Sequence, residues 1–240
     1  MTLPVQSPAD SRRPALSICL ATYNRCAYIG QTLEAILDRF PEGVEVVIVD
    51  GASSDNTARV IKPFTRRNAA VRSLRESSNS GVDRDFDKAV CYARGEYCWL
   101  MSDDDVLVLG AVARVLEQLE PALDLLVVKS RICNADLSVE LSPRYLGITS
   151  DRRYDAESAD AFLGEAGDYL SFIGGVVIRQ SRWLERERYL GTLFIHAGVI
   201  FQAPLSRIKI LADSLIVIRY GNAMWSDRGY EKYGCLSGPA

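Results

Sequence analysis

The chain has 240 residues, of which 48% are hydrophobic and 25% are charged, and its formal net charge at pH 7 is −3. These are the proportions of an ordinary folded protein, which excludes long disordered or fibrous structure. The slight acidic excess argues against nucleic acid as a partner, because chains that bind nucleic acid usually carry a basic excess. At roughly 150 residues per domain, the length permits one large domain or two small ones.

Cysteine and histidine usage gives no indication of a structural zinc site. None of the six cysteines forms a Cys-x-x-Cys pair, and His196 is the single histidine. Three cysteines lie in apolar or helical stretches, which suits a reducing cytoplasm. Residues 1–13 predict a flexible tail without the apolar core of a secretory signal, and no run approaches the roughly 18 apolar residues of a membrane span. We therefore expect a cytoplasmic protein.

Strand and helix signals alternate along the first half of the chain. Apolar runs predict strands at residues 16–21, 44–49, 71–74, 97–101 and 124–129. Helical spacing of apolar residues predicts helices at residues 28–39, from about 53–55 to 67, at 83–94 with a stop at Gly95, and at 109–119. This alternation predicts an α/β fold with a mostly parallel, Rossmann-like central sheet and helices on both of its faces.

Beyond residue 130 the pattern is weaker. Residues 131–166 are polar and mixed, which predicts loops with one short helix, and apolar runs predict strands at 172–178 and 214–219. No internal repeat, low-complexity segment or linker divides the chain. We therefore predict a single domain over residues 14–240.

Polar loops follow three of the predicted strands, at residues 22–25, 50–55 and 102–105. Ligands of parallel α/β sheets bind beyond the carboxyl ends of the strands. We therefore expect these three loops to line one crevice.

Three consecutive aspartates, Asp103, Asp104 and Asp105, form the strongest chemical signal. Adjacent carboxylates repel one another unless a cation is present. Their hard oxygen ligands suit Mg²⁺ or Mn²⁺, and magnesium sites usually combine one or two carboxylates with substrate phosphates. The motif therefore predicts a site for a metal–diphosphate. The alternative is a solvated turn whose aspartates cap the next helix.

The other two loops carry groups suited to a nucleotide. Asp50 can accept hydrogen bonds from a base or ribose, and Gly51 permits close approach of a ligand. Tyr23 can stack on a base, and Arg25 can contact phosphate. The alternative for the loop after Asp50 is a plain strand-to-helix connection with a helix cap at one of residues 53–55, which is compatible with a ligand role for Asp50.

In this order, the three loops resemble the motifs of family 2 glycosyltransferases, whose fold is called GT-A. The resemblance is carried by residues 17–25, 47–57 and 93–105, and it covers about residues 15–120. Residues 81–90 and 219–225 also resemble a narrower group, the abequosyltransferase-like enzymes of O-antigen assembly.

The resemblance implies a nucleotide-sugar donor, a divalent metal (Mg²⁺ or Mn²⁺) and transfer of one sugar to an acceptor. It implies a nucleotide-binding half at about residues 14–120 and an acceptor-side half at about 121–230. By position, the residues that match nucleotide contacts are Thr22, Tyr23, Asn24, Arg25, Asp50, Arg84 and Asp103. Asp104, together with Asp105, matches the metal site.

The residue after Asp50 bears on the base of the donor. Many family members have a second Asp at this position, where it can accept a proton from uracil, whereas this chain has Gly51. Cytosine N3 is an acceptor and does not need that carboxylate. The glycine therefore favours a CDP-sugar, in line with the abequosyltransferase resemblance.

The family usually places an Asp base roughly ninety residues after the metal motif. This chain has His196 there, and an imidazole with a pKa near neutrality could deprotonate an acceptor hydroxyl. The alternative is a buried histidine with its hydrogen bonds satisfied. Asp168 and Glu165 are further candidates for the base.

A basic segment with aromatic residues spans residues 179–190. It could face anionic lipid head groups and provide peripheral membrane contact, but the interleaved Glu185 and Glu187 favour a solvated helix of mixed charge.

Taken together, the resemblance implies a metal-dependent transferase that moves a sugar, such as a dideoxyhexose, onto a polyprenyl-linked glycan at the inner face of the cytoplasmic membrane. One alternative is a catalytically silent nucleotide-binding module with the same fold. A sugar nucleotidyltransferase is disfavoured, because the loop after Ala21 has no glycine before Gly30.

Overall fold

The computed structural model describes residues 13–142 and 146–221, so the tail predicted over residues 1–13 lies almost entirely outside the described part. The strands are β1 (Leu16–Thr22), β2 (Val44–Asp50), β3 (Val71–Arg75), β4 (Tyr97–Met101), β5 (Val106–Leu107), β6 (Leu125–Cys133), β7 (Glu140–Ser142), β8 (Arg152–Asp155), β9 (Val176–Arg179) and β10 (Arg207–Arg219). The helices are α1 (Ile29–Leu37), α2 (Thr57–Arg67), α3 (Val82–Tyr92), α4 (Ala111–Gln118), α5 (Ala159–Ala166) and α6 (Ile195–Phe201).

One mixed sheet runs through the molecule in the order β3-β2-β1-β4-β9-β6-β10-β5, with β7 paired to β6 and β8 paired to β10. The neighbouring strands β3, β2, β1 and β4 are parallel, and so are β6 and β10. Strand β9 lies antiparallel between β4 and β6 and joins the two parallel groups. The predicted α/β class is confirmed. Of the strands with antiparallel pairing, β9 lies inside the sheet, whereas β5, β7 and β8 lie at its margins.

Helices cover both faces of the sheet, as predicted. Strand β1 shows why: Cys19 and Ala21 point into the core beneath α3, α5 and α6, whereas Ile18 and Leu20 point into the core beneath α1, α2 and α4. Every residue of β1, β2 and β4 is buried. These near-continuous apolar runs are what a strand covered on both faces requires.

The first half of the chain follows the predicted order of elements with small shifts of their ends, except that the two-residue strand β5 was not predicted. Helix α3 ends at Tyr92, earlier than predicted from Gly95. The glycine has another purpose, because a Cβ at Gly95 would stand 2.6 Å from the backbone nitrogen of Ser17. Gly95 therefore permits close approach of β1 to the turn that precedes β4.

The second half departs further from the predictions. The strand predicted at 172–178 is wrong in its first part, where short 3₁₀ turns at Asp168–Ser171 and Ile173–Gly175 precede β9. A Cβ at Gly175 would stand 2.6 Å from the ring of Tyr169, so this segment packs as a turn against that ring.

Three strands of the second half were wholly or partly missed. β10 begins at Arg207, ahead of the predicted 214, and a register shift between Leu211 and Ser214 interrupts its alternation of apolar residues. Strands β7 and β8 were not predicted, whereas the short helix predicted within residues 131–166 is α5. In the described ranges, no helix has the length and apolar character needed to cross a membrane.

Candidate active site

The structure brings the loops after β1, β2 and β4 together at the carboxyl edge of the parallel strands. Thr22 and Asp50 end their strands as directly paired residues. The N–H of Gly51 then donates to the carbonyl oxygen of Thr22 at 2.9 Å. Because β1 lies between β2 and β4, the loop after β1 is positioned to contact both of the others.

Asn24 locks the first loop to the second. Its φ of +56° is in the left-handed region, which Asn tolerates better than most residues. Its side-chain oxygen accepts the backbone N–H groups of Ser54 at 2.8 Å and Asp55 at 3.3 Å. Its own N–H donates to the Ser53 hydroxyl at 2.9 Å. The loop geometry therefore depends on a residue that the sequence analysis assigned to the nucleotide.

The second loop also leads into helix α2, whose N-cap is Asn56 without a side-chain cap hydrogen bond, so the cap predicted at one of residues 53–55 lies one residue later. The Asp55 carboxylate accepts the N–H of Thr57, the first residue of α2, at 2.8 Å. The Thr57 hydroxyl in turn accepts the N–H of Arg25 at 2.8 Å. The Asp55 and Thr57 side chains thus serve both the start of α2 and its contact with the first loop, which leaves Asp50 for a ligand.

Asp50 lies at the floor of this crevice and is 2% exposed. Its Oδ1 accepts the N–H of Ser53 at 2.8 Å. Its Oδ2 is enclosed and has no hydrogen-bond partner among the described residues, although Nε of Arg75 lies 3.8 Å away. A buried carboxylate oxygen without a hydrogen bond is costly, so this atom is a candidate ligand contact.

Arg25 joins the first loop to the aspartate motif. Its Nη2 lies 3.1 Å from Oδ2 of Asp104, and its Nε lies 3.4 Å from Oδ1 of Asp103. Burial, and then the charge on Asp104, raise the pKa of Asp103 well above its usual range. One guanidinium therefore offsets the repulsion between two crowded carboxylates.

Asp105 has a different role from its neighbours. It is 3% exposed, and its Oδ1 accepts the N–H of Arg219 at 2.9 Å. The Arg219 side chain donates to the Asp104 carbonyl oxygen at 3.0 Å, and its guanidinium lies over the Tyr28 ring. Asp105 thus anchors the end of β10 beneath the site. Sequence analysis assigned Asp105 to the metal and overlooked Arg219, whose local pattern shows only the end of an apolar strand.

Asp104, next to Asp103, could hold a divalent metal in place of its contact with Arg25, whereas one oxygen of Asp105 already accepts the backbone N–H of Arg219, which makes Asp105 the less available of the two predicted metal ligands. The donors are hard carboxylate oxygens, and the contact with Arg25 shows that they accommodate positive charge. Within the described residues, no three His, Cys, Asp or Glu side chains form a metal cage. This matches magnesium sites that use one or two carboxylates and take their other ligands from phosphates and water.

Two of the predicted nucleotide residues surround the crevice less closely. Tyr23 is half-buried in the loop after β1, and Arg84 is exposed in the first turn of α3. Both remain predicted contacts.

The structure buries His196, the first candidate for the catalytic base. The residue lies in α6 and is 1% exposed. Its Nε2 is 3.3 Å from the Ser171 carbonyl oxygen, and its Nδ1 has no hydrogen-bond partner among the described residues. Burial lowers the pKa of His196 to about 4, so the imidazole is neutral at pH 7 and weakly basic.

The two carboxylate candidates are both exposed. Asp168 begins the 3₁₀ turn that ends at Ser171, the residue whose carbonyl oxygen faces His196. Glu165 accepts a hydrogen bond from the Tyr154 hydroxyl. The structure therefore places Asp168 and His196 on two sides of one turn, the first open to solvent and the second enclosed.

Asp83 has a structural role that the sequence did not reveal. It lies in the first turn of α3 and is 4% exposed. Its Oδ2 accepts the N–H groups of Gly191 and Leu193, both at 2.8 Å, and its Oδ1 accepts the N–H of Ile195 at 3.2 Å. It therefore holds the loop that leads into α6. An acidic residue near a helix N-terminus indicates only favourable dipole electrostatics, so no local signal marks this contact.

The basic segment at 179–190 is also attached to the body of the protein. It contains 3₁₀ turns at Gln180–Arg182 and Arg186–Tyr189, so the predicted solvated helix is wrong. Asp87 of α3 accepts the Trp183 indole N–H at 2.9 Å and pairs with Arg186 at 2.5 Å. The segment folds into turns because these side chains reach back to α3.

Comparisons with known proteins support the same interpretation. Residues 17–162 match the family model for glycosyl transferase family 2. The abequosyltransferase RfbV of Salmonella typhimurium is 26% identical over 230 residues, which cover 89% of this chain and 69% of that protein.

Two solved structures share the fold. TarS of S. aureus in complex with UDP-GlcNAc superposes with a TM-score of 0.70 at 17% identity, over 87% of this chain and 59% of that chain. A mannosyltransferase from Pyrobaculum calidifontis in complex with GDP-Man and Mn²⁺ gives a TM-score of 0.61 at 18% identity, over 93% of this chain and 63% of that chain. This chain therefore spans about three fifths of either structure. Because the family model matches more than half of the 240 residues, the chain belongs to glycosyl transferase family 2 and has the GT-A fold.

Proposed function

We propose that the protein is a metal-dependent transferase that moves a sugar, such as a dideoxyhexose, from a CDP-linked donor to a lipid-linked glycan in O-antigen synthesis. One observation carries the donor part of this proposal: Asp50, Arg25 and the pair Asp103 and Asp104 meet at the carboxyl edge of three adjacent parallel strands. That edge is where open α/β sheets bind their ligands.

Each residue of the crevice has a distinct task in this proposal. Asp50 takes the nucleoside at the crevice floor, and Asp103 accepts hydrogen bonds from the ribose. Asp104 would hold Mg²⁺ or Mn²⁺, which supplies positive charge to the diphosphate leaving group. Arg25 reaches the same carboxylates and adds a fixed cation where negative charge develops.

The acceptor hydroxyl must lose its proton as it attacks the anomeric carbon of the donor sugar. Asp168 is exposed and can meet an acceptor directly, whereas His196 would have to be uncovered to do so. The proposal therefore assigns proton acceptance to the turn between these two residues, with Asp168 as its accessible group.

The acceptor class and location rest on the resemblance to O-antigen enzymes and on the abequosyltransferase, which is similar over most of this chain. A lipid-linked acceptor places the protein at the inner face of the cytoplasmic membrane, as a peripheral protein. The partly exposed Arg186 and Arg188 face that side in the proposal, although ion pairs with Asp87 and Glu185 offset their charge.

Calorimetric titration of the purified protein with CDP, UDP, GDP and dTDP, each with and without Mn²⁺, tests the donor site. We expect CDP to bind most tightly and only with metal. Asp104→Ala should weaken binding in Mn²⁺ by about a hundredfold, with no change in thermal unfolding. The control is Asp38→Ala, which removes an exposed carboxylate at the end of α1.

The outcomes separate the parts of the proposal. Unchanged affinity in Asp104→Ala would remove this residue from the metal site. Failure of every nucleotide to bind would overturn the donor proposal, and a preference for another nucleotide would overturn CDP. For the acceptor part, Asp168→Asn should abolish sugar transfer to a membrane glycolipid extract while nucleotide affinity stays the same.

A further inference from the structure

The space next to Gly51 is filled by a carboxyl group from another element. A Cβ built on Gly51 would stand 2.4 Å from Oδ2 of Asp85, far inside contact distance. Asp85 belongs to α3, is 2% exposed, and accepts the Ser80 hydroxyl at 3.0 Å through its other oxygen. A carboxyl therefore occupies the position where a side chain of residue 51 would begin.

A second acceptor lies beside it. Oδ2 of Asp50 is enclosed and has no hydrogen-bond partner among the described residues. The two carboxyls also interact electrostatically: burial, and the nearby charges of Glu76 and Asp50, raise the pKa of Asp85, whereas the Ser80 hydroxyl and Lys88 act in the opposite direction. Asp85 of α3 therefore lies against Gly51, the residue that follows Asp50 at the end of β2.

We infer that Asp85 and Asp50 together read the base of the donor nucleotide and select a base that carries an exocyclic amino group. This inference rests on the proposed function, because it assumes that the crevice binds a nucleotide. Asp85 then supplies from α3 the second carboxyl for the base, which residue 51 cannot supply because it is glycine.

Counting donors and acceptors gives the direction of selection. Cytosine, adenine and guanine each carry an exocyclic amino group with two N–H donors, one for each carboxyl. Beside it lies a ring nitrogen that accepts in cytosine and adenine and a ring N–H in guanine. Uracil and thymine offer one N–H between two carbonyl oxygens, and a second carboxylate next to a carbonyl oxygen has no donor to meet. Because both side chains are almost fully buried, water cannot replace a missing partner, which makes the mismatch costly.

The position of Asp85 also changes the reason for expecting a cytosine base. Gly51 alone suggested a base that needs no carboxylate. The carboxyl is present but comes from α3, so the preference for cytosine over uracil follows from the number of acceptors.

The test compares CDP, ADP, GDP, UDP and dTDP by calorimetric titration in Mn²⁺, with wild type and Asp85→Asn. The amide has nearly the same shape but replaces one acceptor oxygen by a donor that suits the O4 of uracil. We expect CDP affinity to fall at least about tenfold and UDP affinity to rise, so that the preference narrows or reverses. Asp87→Asn on the same helix is the matched control, because Asp87 contacts Trp183 and Arg186.

A pair of variants tests the steric relationship independently. Asp85→Ala should lose the preference for CDP. Adding Gly51→Asp to Asp85→Ala returns a carboxyl to the cleared space and should restore part of that preference, whereas Gly51→Asp alone should collide with Asp85. Circular dichroism and thermal unfolding identify any variant that fails to fold.

The outcomes distinguish this inference from the proposed function. If wild type binds no nucleotide, the proposed function fails. If wild type binds a nucleotide and Asp85→Asn leaves its base preference unchanged, Asp85 does not read the base. Wild-type preference for UDP or dTDP over CDP and ADP would overturn the selection of an amino-bearing base.

Discussion

The two halves of the molecule are built in different ways. In residues 13–120, each polar loop follows its strand directly, and the strands that carry the site, β1, β2 and β4, are parallel neighbours. In residues 121–221, the sheet depends on antiparallel insertion of β9 and on the 13-residue β10, which pairs with three other strands. The positions of the crevice loops therefore follow from the ends of their strands, whereas the architecture of the second half depends on contacts between residues distant in sequence.

Helix α3 connects the two halves. Asp85 faces the crevice beside Gly51, whereas Asp83 and Asp87 hold the loop before α6 and the segment around Trp183. We therefore expect substitutions in the first half, in the second half and in α3 to differ in their effects on the free energy of unfolding and on nucleotide affinity.

Asp83→Ala removes the hydrogen bonds between α3 and the loop before α6, and it should have the largest effect on stability. Three backbone N–H groups would lose a charged acceptor, and we expect the free energy of unfolding to fall by about 4 kcal/mol. Urea denaturation measures the change. Arg84→Ala, at the next and exposed position, should change it by less than about 0.5 kcal/mol. If the two variants proved equally stable, Asp83 would not hold the loop before α6.

His196→Gln tests the second half by pH. The folded pKa of His196 is about 4 and its ordinary value is 6.5, so the unfolded state binds more protons between these values. The contribution of His196 to stability is therefore intact above pH 6.5 and falls as the pH drops towards 4, by about 3 kcal/mol in all.

The measurement is urea denaturation of both proteins at several pH values across this window. The difference between wild type and His196→Gln isolates the histidine, because the titrating aspartates are common to both. Parallel stability curves across the window would show that the imidazole is not buried in its neutral form.

Gly95→Ala tests the packing of the first half. The added methyl group would stand 2.6 Å from the Ser17 nitrogen, and we expect a loss of about 2 kcal/mol in thermal or urea unfolding. Gly164→Ala is the matched change in the second half, since nothing lies within 4 Å of its Cβ and it lies inside α5. It should stabilise by about 1 kcal/mol. If alanine destabilised the protein equally at both positions, the short distance between a Cβ at residue 95 and the Ser17 nitrogen would not explain the loss.

Asn24→Ala should have the smallest effect on stability, about 1 kcal/mol, because its loop is partly exposed. Nucleotide affinity should nevertheless fall, since this side chain joins two of the three loops. Asn24→Gly separates the causes: glycine tolerates the positive φ but restores no hydrogen bond. Wild-type affinity in Asn24→Gly would show that the hydrogen bonds to Ser54 and Asp55 are dispensable.

These contrasts explain what the sequence could reveal. The apolar composition of residues 44–50 is enough to predict a buried strand. The end of that strand then fixes the position of the loop that follows. The position of Asp104 just after β4 could be predicted for the same reason, and its role in metal binding stays a prediction. Asp105 has the same residue type and position but serves Arg219, which is 114 residues away. Periodicity carries no information about such partners, and the turn at Gly174 and Gly175 also depends on a ring, Tyr169, outside the local pattern.

The hydrogen bonds of Asp83 have a consequence for the order in which the chain can mature. They join residues 108 to 112 positions apart. When only the first half of the chain has left the ribosome, strands β1, β2 and β4 are present. The N–H groups at residues 191–195 that donate to Asp83 are not. Helix α3 therefore reaches its final surroundings only when residue 195 has emerged. The hydrogen bonds of the Asp83 carboxylate therefore depend on both halves of the chain.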